Sequence, residues 1–218
     1  MGKKRLEDAI QKIEQPVEVV YRSFELDPTV ERNVPYNIYE KLASKYGMSL
    51  DQAKANCLNM VQMAQEAGLE FNLDTLILTN TFDAHRLASF AKSQGLMHKM
   101  TDRLLRAYYT ESKHIGDHAT LIDLAEEVGL NRDEVTKMLS SSEMSDVVRA
   151  DEQEAQDLGI RSIPYFIINK KYAISGAQPT QAFVNSLEQI IEQDGPFTKG
   201  EEQNGAVCDE NGCEIPEK

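Results

Sequence analysis

The chain has 218 residues, 41% of them hydrophobic, and its 36 acidic against 23 basic residues give a formal net charge of −13. That length allows a sizeable core, as one domain or as one with a large insertion, whereas the acid surplus argues against nucleic acid and anionic membrane surfaces as partners. No apolar run approaches the roughly 18 residues that span a bilayer, residues 1–8 hold no apolar signal core, and three cysteines make no secreted disulfide framework, so the expected compartment is the cytoplasm.

Leu6, Ala9, Ile10 and Ile13 recur at helical spacing, which predicts a helix over 1–13 that ends before Gln15 and Pro16. Val17, Val19, Tyr21 and Ser23 then alternate with Glu18, Val20, Arg22 and Phe24, the period of a strand, and Asp27 and Pro28 close it. From 37 to 158 the pattern is helical throughout. Ser49 with Gln52 makes a capping box ahead of a stripe of Ala53, Cys57, Met60 and Ala64. Thr79 to Asp83 reads as the start of a helix through 84–91; further helices are expected over 97–109, 120–128, from Asn131 with Glu134, and over 145–158. Cys57, beside Met60 and Val61, reads as a buried structural thiol, and Met48, Met60, Met63, Met97 and Met100 as gap-filling core. His98, His114 and His118 show no ligand spacing, and no metal site is expected.

Residues 158–169 set Pro164 at the head of an apolar run, and a second short run, 171–176, follows. Proline cannot donate to a ladder and is tolerated at a strand's first residue. A buried strand is therefore expected over 165–168, a hairpin turn at Asn169 and Lys170, and a second strand over 172–175. Gly176 to Pro179 breaks the chain, and Thr180 is expected to cap a helix with Phe183, Leu187, Ile190 and Ile191 on one face. Residues 194–218 hold four glycines, two prolines, seven acids and two bases, a composition that buries too little to offset its ordering entropy and predicts a mobile tail. Within it, Cys208 and Cys213 flank Asn211-Gly212, a turn that would bring the two sulfurs into bonding range. One reading is an auxiliary redox pair. The other is two exposed thiols cycling with a reducing cytosol, and Asp209, Glu210 and Glu214 disfavour a thiolate there.

An X-Pro bond feeding a strand, a hairpin and an amphipathic helix resembles the C-terminal half of a thioredoxin fold. Residues 158–166 are similar to a Leu-Gly-x-x-x-(Val/Ile)-Pro-x-Phe segment, and 172–179 to a Tyr-Ala-(Val/Ile)-Ser-Gly-Ala-Gln-Pro segment. Both belong to the DsbA family, in its FrnE-type and 2-hydroxychromene-2-carboxylate isomerase branch. Residues 80–87 are similar to the same branch's Asn-Thr-x-x-Ala-His-Arg-Leu segment. The resemblance implies an α/β, thioredoxin-like fold with a large all-helical insertion, divided as 1–36 (helix and strand), 37–158 (helical insertion), 159–193 (proline, hairpin and helix) and 194–218 (acidic tail). It implies a cis Ile163–Pro164 bond facing the active site, Ile163 and Pro164 lining a groove for an extended substrate, and Asn80 and Thr81 offering hydrogen bonds to a peptide or to glutathione. The plainer alternative is that Thr79 or Asn80 caps the helix and His85 makes a core hydrogen bond.

The family's redox motif reads Cys-Pro-x-Cys-Tyr-x-Gly-Lys-x-x-Leu. This chain matches it only from Met1 and Gly2 to Leu6, so the first strand and the Cys-x-x-Cys pair are expected upstream of Met1, with no catalytic residue in the sequence itself. A start assigned at an internal methionine, or a shortened chain, accounts for this better than a degenerate paralogue, because the strand over 17–24 would otherwise lose its central neighbour. The resemblance implies thiol–disulfide exchange with protein thiols or disulfides, in a chain inactive as it stands. The alternative is a glutathione-dependent, kappa-like isomerase or transferase with Gln178 near the tripeptide's polar end. A third reading is a peptide-binding module without redox chemistry. No cofactor is expected beyond glutathione as a co-substrate, and the oligomeric state is left open.

Overall fold

The computed structural model describes residues 1–195 and the backbone of 208–209 and 212–213. In chain order the elements are α1 (Gly2–Ile10), α2 (Ile38–Tyr46), α3 (Leu50–Glu66), a 3-10 turn (Leu73–Thr75), α4 (Phe82–Ser93), α5 (Met97–Tyr109), α6 (His118–Glu127), α7 (Arg132–Leu139), α8 (Ser145–Asp157), β1 (Tyr165–Ile168), β2 (Tyr172–Ser175) and α9 (Thr180–Asp194), followed by β3 (Cys208–Asp209) and β4 (Gly212–Cys213). The mostly helical chain with its small hairpin has the thioredoxin-like architecture with helices inserted between α1 and the hairpin. It divides into two compact units, one of Met1–Lys4 with Tyr21–Ala177, the other of Arg5–Val20 with Gln178–Lys218. Among the described residues no helix is long and apolar enough to cross a membrane.

The helices of the first unit start where their polar residues say they should. Asn37 accepts the N–H groups of Tyr39 and Glu40 while the Glu40 carboxylate takes the Asn37 N–H, and Ser49 and Gln52 form the expected reciprocal box at α3. Asp117 and Asn131 cap α6 and α7. Such caps satisfy amides that have no intrahelical acceptor, at about 1 kcal/mol each. α4 runs through the middle: Ala84, Leu87, Ala88, Phe90 and Ala91 are buried against Met100 and Leu104 of α5, Leu121 and Leu124 of α6, and Val135 and Met138 of α7. The alanines let neighbouring helices approach, and each fully buried leucine contributes roughly 1.5–3 kcal/mol. A smaller cluster gathers Cys57, Leu73 and Leu76 beneath Leu42, Val61 and Phe71. Met97 and Met100 are core, as expected, but Met60 and Met63 are exposed. Ala53, Cys57 and Ala64 set the inward direction of α3, and at ~100° per residue Met60 falls some 60° to one side of Cys57 and Met63 about 120°.

Residues 17–24 are not a β-strand. The period-2 pattern nevertheless governs burial: odd positions from 13 to 25 are buried or half-buried, while 14, 16, 18, 20, 22 and 26 are exposed. At the end of this segment the backbone partners are side chains instead of a neighbouring strand. The Ser23 N–H donates to Asp151 Oδ2 at 2.8 Å and the Glu25 N–H to Glu152 Oε1 at 3.3 Å, both on α8. These carboxylates satisfy the amides, but they build no ladder.

In the second unit, Ala9 of α1 and Phe183, Val184, Leu187 and Ile190 of α9 are buried, the face predicted for α9. Its cap differs from expectation. Pro179 holds the N-cap position at φ −57°, no side chain caps the helix, and Thr180 is the first helical residue.

Candidate functional site

α8 ends at Asp157, and the chain turns sharply through Gly159, whose φ of +70° is a left-handed value that glycine adopts without penalty. The Ile160 N–H closes the turn on the Ala155 carbonyl at 2.9 Å. Arg161 and Ser162 are exposed, and Ile163 leaves 45% of its surface in solvent. The Ile163–Pro164 peptide is cis. β1 and β2 then pair antiparallel, with Tyr165 opposite Ser175 and Ile168 opposite Tyr172. Asn169 and Lys170 both take positive φ, +52° and +55°, and the Lys171 N–H returns to Ile168 O at 3.0 Å. That is the primed turn whose twist matches two flanking strands. The Gly176 N–H donates to the Pro164 carbonyl at 2.9 Å and carries the pairing up to the proline. β1 is half-buried rather than buried, with Ile167 facing out, because a two-stranded hairpin covers one face only.

Against this loop stands the first turn of α1. A Cβ built on Gly2 would lie 2.6 Å from Pro164 Cγ, 3.1 Å from Pro164 Cβ and 3.3 Å from Phe166 Cζ, so only a residue without a side chain fits there. Lys3, one residue on, reaches Asp102 of α5 at 2.5 Å. Gly2 was not among the residues expected to form the site; its sequence signals are its match to the glycine of the family's redox motif and its place at the head of a helix, where alanine would be the better helix former. Ile163, Pro164, Phe166 and Gly2 form one constellation.

Asn80 and Thr81 belong to another. The Asn80 side-chain NH2 donates to Val30 O at 3.0 Å, and its oxygen accepts the Phe82 N–H at 2.9 Å. Its amide thus binds the 28–32 loop to the start of α4. Thr79 does not cap the helix; its hydroxyl donates to Arg32 O at 2.8 Å. Thr81 occupies the N-cap without a side-chain bond to the helix. Beside them Asp83 binds Arg86 at 2.7 Å, His118 at 2.7 Å and Arg32 at 3.1 Å. Burial pushes the Asp83 carboxyl up, but His118 and Arg86 outweigh it and hold the group below its usual range. His85, one turn along, faces Glu152 and Asp151, and burial keeps its imidazole below the ordinary histidine range in spite of them. Gln178 is exposed and lies in the second compact unit.

Cys57 is a free, buried thiol, pushed up by burial and by the charge of Asp74. The backbones of β3 and β4 pair antiparallel, with Cys208 opposite Cys213. The two cysteine side chains, and the expected mobility of the tail, fall outside the described residues.

Residues 1–188 match the DSBA-like thioredoxin domain. A crystal structure of a probable DsbA oxidoreductase from Streptomyces coelicolor is similar at 34% identity and a TM-score of 0.82, over 99% of this chain and 93% of that one. The uncharacterized protein YwbO of Bacillus subtilis is 29% identical over 190 residues, 86% of this chain and 88% of its own length. A solved structure from Nitrosomonas europaea shares the fold at 17% identity and a TM-score of 0.57, over 72% of this chain and 90% of that one.

Proposed function

The chain belongs to the DSBA-like thioredoxin domain family, and from that premise we propose that it serves thiol–disulfide exchange on cytoplasmic protein substrates, with the loop at Ile163 and Pro164 as the wall an extended substrate segment lies against. One observation carries the reading. Ile163 exposes its side chain beside the tightly packed Gly2, Pro164 and Phe166, and among the described residues its peptide N–H and carbonyl have no hydrogen-bond partner. An exposed apolar side chain with open backbone groups on a fixed loop suits pairing with an extended peptide.

The exchange needs a thiolate that attacks one sulfur of a disulfide, so that the S–S bond breaks and the other sulfur leaves as thiolate. A second thiol then resolves the mixed disulfide. Cys57 does not suit the first role, being buried with its thiol pushed up. Cys208 and Cys213 sit among Asp209, Glu210 and Glu214, which oppose a thiolate. The 218 residues contain no Cys-x-x-Cys. In this reading they exchange disulfides slowly by themselves, and turnover requires the family's Cys-Pro-x-Cys pair ahead of Gly2, where the amides and dipole of α1 would lower a thiol pKa.

Insulin-disulfide reduction tests this, comparing the 218-residue chain with the same chain preceded by the family's Cys-Pro-x-Cys-Tyr segment. The extended protein is expected to turn over and the shorter one not. Comparable rates from the two would overturn the assignment, and the double variant Cys208→Ser, Cys213→Ser would then show whether the tail supplies the nucleophile. Turnover of glutathione conjugates in place of insulin would favour the glutathione-dependent alternative.

A further inference from the structure

Two acids meet where residues 21–26 lie on α8. The Glu25 side chain is 1% exposed and that of Glu152 14%. One guanidinium serves both: Arg149 Nη1 reaches Glu25 Oε2 at 2.7 Å and Glu152 Oε2 at 2.5 Å. Bonded to the same nitrogen, the two carboxylates lie beside each other, and a proton on either relieves their repulsion. Without such a proton the second oxygen of Glu25, Oε1, is buried and accepts no hydrogen bond, a costly state for a carboxylate.

The surroundings do not supply the missing positive charge. Asp151, 6% exposed, adds a third carboxylate and takes the Ser23 N–H and Arg22, at 2.9 Å; the other end of Arg22 is 3.9 Å from Glu154. From α4, His85 faces Asp151 and Glu152 but is held below its ordinary range by burial. Arg86 is committed to Asp83 and to the carbonyls of Met138, Ser141 and Glu143. The Phe82 ring lies 4.2 Å from the Arg149 guanidinium and brings no full charge.

We propose that Glu25 and Glu152 hold one proton between them in the folded protein at pH values where exposed carboxyls have already lost theirs, making the contact of residues 21–26 with α8 a pH-sensitive fastener that loosens when the proton leaves. The proton gives the pair a hydrogen bond and leaves Arg149 facing one negative charge instead of two. Burial, and then the charge of Glu152, push the Glu25 carboxyl above its usual range despite Arg149. A carboxyl raised above its unfolded value of about 4.3 contributes fully below that pH and loses its contribution as pH rises through the folded value. The same α8 continues through Gly159 into the loop of Ile163 and Pro164, so loosening acts on the element that carries that loop.

Carbon-13 NMR titration of glutamate-labelled full chain tests the proposal. One glutamate carboxyl is expected to titrate about one pH unit or more above the usual range. In Glu152→Gln the Glu25 midpoint should fall back, because the glutamine amide donates to it permanently, and in Glu25→Gln no glutamate should titrate above the usual range. Should one variant not fold, the other gives the same answer. The protection factors of the Ser23 and Glu25 amides should drop about tenfold per pH unit above the midpoint in the parent, and stay level in the variants. Glutamates that all titrate in the usual range would overturn the shared proton, and so would a raised midpoint that survives Glu152→Gln. Protection that stays level in the parent would overturn the fastener.

Discussion

Replacing Gly2 with alanine isolates the contact on which the Pro164 loop rests. The backbone of Gly2 lies outside the left-handed region, so alanine meets no conformational penalty, and by helix propensity alone it should stabilise α1 by up to about 1 kcal/mol. The added Cβ would stand 2.6 Å from Pro164 Cγ and 3.3 Å from Phe166 Cζ. Ordinary carbon contacts need roughly 3.5–4 Å, so the proline ring and α1 must separate by about 1 Å. Ring atoms next to a paired strand cannot swing aside as the end of a lysine can, and overpacking of this kind costs roughly 1–3 kcal/mol. The clash outweighs the propensity, and we expect a net loss of about 1–2 kcal/mol. At a urea m-value near 2 kcal/mol/M that is a midpoint lowered by ~0.5–1 M with an unchanged slope. Gly2→Val, with two further carbons, should lose more. Equilibrium urea unfolding followed by circular dichroism reads both. An alanine variant with a midpoint equal to or above the parent's would refute the reasoning and leave Gly2 an ordinary helix residue.

Arg86 is 5% exposed and holds α4 to the α7–α8 connection through the carbonyls of Met138, Ser141 and Glu143. Arg86→Met should cost about 3–5 kcal/mol, since buried acceptors lose their donor and Asp83 loses its partner, with Arg86→Lys recovering only part; a loss under about 1 kcal/mol in urea unfolding would contradict this. Asp83 bears on pH dependence. Its carboxyl is held below its usual range, so its contribution is complete above the unfolded value of about 3.9 and disappears as pH falls through the lower folded value. The stability gap between the parent and Asp83→Asn should therefore be level near neutrality and close only in acid. A gap that is unchanged down to the acid transition would show that the ion pairs to His118 and Arg86 contribute nothing.

The hairpin was legible in sequence because its determinants are local. Proline at a strand's first residue and a hairpin turn at Asn169 and Lys170 are each decided by a few neighbouring torsions. The capping box of Ser49 and Gln52 and the apolar face of α9 were legible for the same reason. Residues 17–24 mark the limit of such reading. Their alternation matches the alternating burial up to Ser23, but a strand also needs a partner, and the amides of Ser23 and Glu25 find theirs in carboxylates more than 120 positions away. Asn80 shows the same limit at the candidate site: its motif offered it as a ligand-binding residue or as a cap, and only the folded chain shows its amide bonded both to the 28–32 loop and to the Phe82 N–H. Gly2 against Pro164, and Glu25 against Glu152, are likewise invisible in one dimension. Local torsion and periodicity determine which element forms; which distant side chain ends up beside a buried polar or backbone group depends on how the helices pack, and tertiary structure alone decides that.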